Sequence, residues 1–411
     1  MREKNRKRSL LAVFLTFIID SLGGTIVFPI LAPLFLSETQ SVFTSAIPES
    51  LRMITLGLFL ASFPLAQFLF SPILGDFADK AGRKKAFLVT IFLSIMGYFL
   101  SAWGIQFSHL SILFLGRFIT GIAAGNMSIC LASIVDLSPS EKVKSRYFSY
   151  GSIVAGSSFI LGPFLGGKLS DSSLNPLFSP AFPMWLGGFF SIINLIVLFF
   201  TFEETLKIKK YQFDPIKAVH NVQEILRTKK IKDLYIVYFF SLFAWNTIFQ
   251  FFPALMLEQF HSTNSSIGNA AALMGGLWIL GTISISSIME LKIHMKTLLL
   301  TTLLLFCASC FLILLSKGFF YFLLTVGAMV FFAGAMWPVF TTAISNSSDP
   351  SIQGKTLGFS QSVQSLSMML APLLGGFFIE AHSTIPFIIS AISGLIAASF
   401  LIRTEICSHT K

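Results

Sequence analysis

Gly75-Asp76-Phe77-Ala78-Asp79-Lys80-Ala81-Gly82-Arg83-Lys84-Lys85 is a run dense in charge, and both of its flanks are bare of it. Residues 54–74 on one side and 86–107 on the other contain no Asp, Glu, Lys or Arg. Each flank has the length of a membrane span, about 20 mostly apolar residues. The run therefore reads as a short polar turn joining two spans. The pattern repeats in both directions, and spans are predicted near 9–35, 54–77, 85–107, 110–134, 148–169, 183–202, 234–257, 266–289, 296–315, 319–343, 356–379 and 385–402. Composition agrees: of 411 residues, 54% are hydrophobic and 12% charged, against roughly a quarter charged in soluble domains. A chain so apolar cannot cover itself in water. The expected fold class is all-α integral membrane, with twelve transmembrane helices in two pseudo-symmetric six-helix bundles.

The net charge of +10 follows from topology. With the N-terminus in the cytoplasm, the 29 Lys and Arg residues lie in inside segments, apart from Arg52, Lys168 and Lys317 in outer loops and Arg117 within a span. That is the positive-inside asymmetry, over an even number of spans that leaves both termini cytoplasmic. The expected location is a bacterial-type cytoplasmic (inner) membrane, with the lipid bilayer as solvent and no nucleic-acid partner. Ser9–Phe35 follows basic residues as a signal peptide would. It is too long for one, carries Asp20 in its middle and lacks a small-x-small cleavage site, so it reads as an uncleaved first span. Cys307 and Cys310 have redox or metal spacing, yet they lie in a span with no His beside them and read as buried thiols. No cofactor or metal is expected, and the chain is expected to be a monomer.

The longest polar stretch, 203–233, divides the chain into bundles at 1–202 and 234–411. Within it Asp214-Pro215 reads as a helix start, followed by the apolar positions Ile216, Val219, Ile225 and Leu226 of an amphipathic helix on the cytoplasmic surface. The halves echo each other: Gly162-Pro163-Phe164-Leu165-Gly166-Gly167 matches Ala371-Pro372-Leu373-Leu374-Gly375-Gly376, and Pro139-Ser140 matches Pro350-Ser351. Duplicated six-helix halves are a transporter architecture.

Two charges lie deep in spans. Asp20 is roughly 16 Å along the first, at 1.5 Å per residue, and Arg117 is in the fourth. A charge at that depth costs about 2.5 kcal/mol or more on insertion scales and normally faces a cavity or a partner. The two are expected to pair. Desolvation and a neighbouring arginine pull a carboxyl in opposite directions, which suits a group that binds and releases protons. A static ion pair is the structural alternative, and Arg117 could instead bind an anionic substrate. Gln67, Asn126, Trp245, Asn246, Gln250, Trp337 and Gln361 are polar or amphipathic residues within spans, and are candidates to line a substrate path or to satisfy each other between helices.

Five motifs now stand in order: Asp20-x-x-Gly23 before Pro29-x-x-x-Pro33; the 75–85 loop; Arg117-x-x-x-Gly121 leading to Gly125; Gly162-Pro163-x-x-Gly166-Gly167; and Gln353-Gly354 followed by Gly358, Gln361-Ser362 and Pro372. Together they resemble the major facilitator superfamily, in its drug–proton antiporter branch with twelve spans. Ser158 stands where that branch often has a further glycine, and Met289–Lys296 keeps none of the loop's glycines in the second half. The resemblance implies that Asp79 faces the start of span eleven, where free amides favour an anion, and that Arg83 pairs with Asp136 at the end of span four. Gly75 and Gly82 would allow close backbone approach, and these contacts would form a cytoplasmic latch. Independently of the resemblance, Pro163 removes a backbone hydrogen bond and is expected to interrupt or kink span five, where the glycines permit close helix contact. The resemblance associates this run with antiporters.

The expected activity is export of a small organic compound by proton antiport with alternating access. An importer or uncoupled facilitator, and a non-transporting sensor or assembly factor, are the alternatives. No phosphate-binding Gly-x-x-x-x-Gly-Lys run and no nucleophile–base set point to ATP use or to an enzyme.

Overall fold

The computed structural model describes residues 3–37, 42–43, 47–206, 229–289, 293–315, 318–347, 353–378 and 384–404. Among them every regular element is an α-helix: α1 (Glu3–Ile26), α2 (Phe28–Leu36), α3 (Glu49–Ala81), α4 (Arg83–Gln106), α5 (Leu110–Ala123), α6 (Asn126–Leu137), α7 (Glu141–Leu169), α8 (Phe182–Thr201), α9 (Lys229–Phe260), α10 (Asn264–Met289), α11 (Met295–Ile313), α12 (Phe319–Asn346), α13 (Gln353–Phe378) and α14 (Ile385–Arg403). With α1–α2 and α5–α6 each taken as one run, ten runs are long and apolar enough to cross a membrane. Within α7 the apolar part is the shorter Ile153–Leu169, and α13 completes the twelve. The outer surface is apolar as well: Phe200 and Phe320 are 79% and 81% exposed. Lipid, not water, matches such a surface.

Three expectations about continuity need correction. Spans one and four are each broken, and span five is not. After α1 the chain turns at Val27 into α2, whose first turn holds Pro29; proline has no N–H to continue the ladder. In span four the Ala124 amide is shared between the carbonyls of Thr120 at 3.0 Å and Gly121 at 3.3 Å. The Gly125 amide turns to Ile122, three residues back, at 3.3 Å, the tighter 3₁₀ pattern. By contrast α7 is continuous through Gly162-Pro163, with Pro163 inside the helix. Its glycines serve contact. A side chain at Gly162 would start against Thr25, and one at Gly166 against the carbonyl of Ile26. Thr25 Oγ1 also donates to the Ser158 carbonyl at 2.9 Å. So α7 closes on α1 at the point where α1 ends.

Two compact units emerge, Met1–Phe213 with His261–Ala272, and Asp214–Phe260 with Leu273–Lys411. In the first, Val13, Phe17, Phe87, Ile134 and Phe202 are buried together between α1, α4, α6 and the end of α8. In the second, α9 packs on α13 and α14, and α11 on α12 and α14. Phe251 and Phe387 are fully buried there, and a side chain at Gly375 would start in the Phe251 ring. The expected amphipathic helix behind Asp214-Pro215, and the loop at Pro350-Ser351, lie outside the described residues.

Candidate functional site

Asp20 sits in α1 with a defined partner. Its Oδ2 accepts a hydrogen bond from Asn126 Nδ2 at 2.6 Å. The Asn126 carbonyl oxygen in turn accepts from Thr90 Oγ1 at 2.8 Å. Because an amide has one accepting and one donating end, the Thr90 contact turns the NH2 of Asn126 towards the carboxylate. Asn126 is fully buried, at the first position of α6 just after the Ala124–Gly125 turn. The break in span four is thus what aims this amide at α1. Asn126, expected from the sequence only as a lining residue, is the direct neighbour of Asp20. Thr90 was not identifiable, since nothing in sequence says which faces of α4 and α6 meet.

The expected ion pair between Asp20 and Arg117 is absent: no acid among the described residues lies within ion-pair distance of Arg117. The guanidinium lies over the Phe63 ring, 4.3 Å from its centroid, and the Arg117 Nε is sealed with no hydrogen-bond partner. Tyr98 interacts electrostatically with both charged groups. It is pressed against α1, where any side chain at Gly23 would overlap it. Gln67 is partly buried one turn beyond Phe63 on α3.

At the 75–85 turn the charges form one cluster. Arg83 Nη1 meets Asp79 Oδ1 at 2.6 Å, and Arg83 Nε meets Asp136 Oδ2 at 3.3 Å, as the resemblance implies for Asp136. Thr205 Oγ1 donates to the same Asp136 oxygen at 3.1 Å. Asp76 pairs with Lys80 one turn along, at 3.1 Å. Glu204 was missed in the sequence. Its carboxylate accepts from the backbone N–H groups of Arg83 at 2.9 Å and Lys84 at 3.1 Å, free amides at the start of α4 that favour an anion. Gly82 makes room for it. Its φ is +102°, and a side chain there would collide with Glu204, so this position suits glycine on both counts. At Gly75 nothing among the described residues lies within 4 Å of where a side chain would begin. The side chains at the start of α13, which Asp79 was expected to face, lie outside the described residues.

A second polar cluster closes the opposite end of α7. Asp171 Oδ1 accepts from the Ser173 N–H at 3.1 Å and hydroxyl at 2.6 Å. Asp171 Oδ2 accepts from the Ser265 N–H at 3.3 Å, in the first turn of α10. Asn264 Nδ2 donates to the Ser170 carbonyl at 3.3 Å. Just below, a side chain at Gly167 would start against Asn264 and Gly268. Burial would raise the Asp171 carboxyl, but the hydrogen bonds from Ser173, Thr263 and Ser265 outweigh it and hold the group below its ordinary value. The Asp-Ser-Ser at 171–173 and the Ser-Thr-Asn-Ser-Ser at 262–266 are turn and cap signals, and could have flagged both ends.

The remaining lining candidates divide. Trp245 packs on Trp278, centroids 4.7 Å apart, and Trp278 lies 6.4 Å from Trp337; Trp278 was not singled out in the sequence. Asn246 Nδ2 donates to Ser367 Oγ at 2.9 Å, and Gln250 Nε2 to the Met368 carbonyl at 3.2 Å. Both therefore tie α9 to α13. Pro372 is buried inside α13. The side chain of Gln361 lies outside the described residues.

The family model of the Major Facilitator Superfamily matches residues 13–290 and 234–406. The tetracycline resistance protein, class H, of Pasteurella multocida is 26% identical over 373 residues, covering 90% of this chain and 88% of that protein. The quinolone resistance protein NorA of Staphylococcus aureus is 25% identical over 338 residues, 80% of this chain and 82% of that one. Among solved structures, a D-xylose–proton symporter superposes with a TM-score of 0.79 at 17% identity, over 98% of this chain and 99% of that one.

Proposed function

The chain belongs to the Major Facilitator Superfamily of transporters, and from that premise we propose that it exports a small organic compound by antiport against protons, with alternating access. The observation that carries this reading is Asp20. A carboxyl deep in a span is costly to keep charged, and this one has an amide for its partner where a cation was expected. A group so placed can take up a proton in one conformation and give it up in another, when its contact with Asn126 or its access to water changes. Drug resistance in the names of the relatives supports the outward direction. Tyr98 and Arg117 would tune the site, and the Arg83 cluster would hold α3, α4, α6 and the segment after α8 as one block while the bundle moves. The 75–85 turn and both termini would face the cytoplasm of a cell whose inner membrane holds a proton gradient, and a monomer would suffice.

The D-xylose–proton symporter shares the fold and favours a second reading, proton-coupled import. Everted membrane vesicles separate the two. With an inward-acid gradient, a fluorescent test compound should accumulate in vesicles bearing the protein, and nigericin should abolish the accumulation. Gradient-driven loss of compound from preloaded vesicles would support import instead, and accumulation that ignores nigericin would remove proton coupling.

A further inference from the structure

Among the described residues Arg117 is a cation without an anion. It lies within a membrane span, where an uncompensated charge is costly, and such residues face a partner or a pathway. Five of the described acids of the first unit are engaged elsewhere. Asp20 is turned to Asn126, Asp76 to Lys80, Asp79 and Asp136 to Arg83, and Asp171 to Ser173 and Ser265. What Arg117 does contact is the face of Phe63 at 4.3 Å. A ring face relieves part of the charge, but it offers no carboxylate or carbonyl acceptor to the N–H groups. The Nε is sealed and unpaired, while the residue as a whole is partly exposed.

We propose that the missing counter-charge is brought by the transported compound: Arg117 recognises a negatively charged group, carboxylate or sulfonate, on a substrate whose body is apolar or aromatic. This rests on the transport reading above and names the substrate class of that site. The rigid fork of a guanidinium matches two oxygens of such a group. Phe63 supplies a flat apolar wall beside it. Gln67, one turn along the same face of α3, is placed to donate to a further oxygen. In a cell negative inside, export of an anion and entry of a proton both run with the membrane potential, so the two charges do not oppose each other in one cycle.

The test uses matched compounds. Purified protein is titrated with 1-naphthalenesulfonate and with 1-naphthalenesulfonamide, the same ring with and without a fixed charge. The sulfonate is expected to bind roughly tenfold tighter or more, the worth of one or two charged hydrogen bonds. Arg117→Gln should erase that preference and Arg117→Lys keep part of it. A sulfonate-to-sulfonamide ratio near one in the unaltered protein overturns the proposal without reliance on any variant, and so does a preference that survives Arg117→Gln. Exchanging gluconate for chloride in the buffer distinguishes a small-ion site. Sulfonate binding should be unchanged, and its displacement by chloride would also overturn the proposal. The same compounds in proteoliposomes keep the two readings apart. Equal proton-linked transport of both would sink the anion proposal and leave antiport standing. Charge-selective binding with no proton movement would do the reverse.

Discussion

Arg83 and Asp136 are joined side chain to side chain across 53 positions of sequence, with Arg83 Nε on Asp136 Oδ2 at 3.3 Å. Thr205 holds the same oxygen from the segment after α8, and Arg83 reaches Asp79 in α3 with its other arm. One guanidinium thus ties three parts of the first unit, and it is the least exposed member of its ion pairs. An exposed pair of this kind would contribute little. Here burial of the arginine makes each partner matter more.

The cluster should therefore behave as a unit. Arg83→Ala and Asp136→Asn are each expected to slow transport roughly tenfold, and the double variant little further, the non-additivity of residues acting together. Initial rates in proteoliposomes measure this. Fully multiplicative losses would show that Arg83 and Asp136 act independently.

The Gly162–Gly167 run should be sensitive to volume rather than to backbone flexibility. At Gly166 an added methyl would meet the Ile26 carbonyl, whereas at Gly276 in α10 it would meet nothing among the described residues. Gly166→Ala should lower stability by about 1–3 kcal/mol through overpacking, and Gly276→Ala should be neutral or slightly stabilising, as alanine is in a helix. Melting temperatures in detergent decide it. Equal melting of the two variants would remove the contact account of this motif.

Asp171 gives a pH signature. Its folded carboxyl is held below the ordinary value, near 3.9 for aspartate. Its stabilising contribution is therefore full above that value and is lost as the pH falls through it towards the folded one. Asp171→Asn should lower the melting temperature at neutral pH, and the gap from the unaltered protein should close in acid. A gap that stays constant or widens below about pH 4 would contradict the assignment of the hydrogen bonds to the charged form.

Much of the fold was legible because hydrocarbon imposes simple rules. The bare flanks of 75–85 and the distribution of Lys and Arg give the spans, and the motif order gives the family. Pairings between helices were less legible. Arg83 with Asp136 followed from the resemblance, but Asp20 with Asn126 depended on a turn at Ala124–Gly125 that rotates α6. No periodicity announces that turn. The same ignorance of neighbours led to Asp20 being paired with Arg117 on charge alone. Pro163 suggested a break in span five, yet the ladder of α7 continues past it and the adjoining glycines meet Thr25 and Ile26. Glu204 was hidden for another reason. Its partners are backbone amides, which have no sequence signature.

In the proposed mechanism Asp20 carries the coupled proton, and substrate-driven proton movement is the direct test of that role. The unaltered protein and Asp20→Asn are reconstituted in liposomes holding a pH-sensitive dye, and a transported compound is added on one side. Proton movement opposite to the compound is expected in the unaltered protein. In Asp20→Asn that movement should be lost while compound exchange along its own gradient continues. Proton movement of equal size in both proteins would contradict it, and would place the coupling on another group.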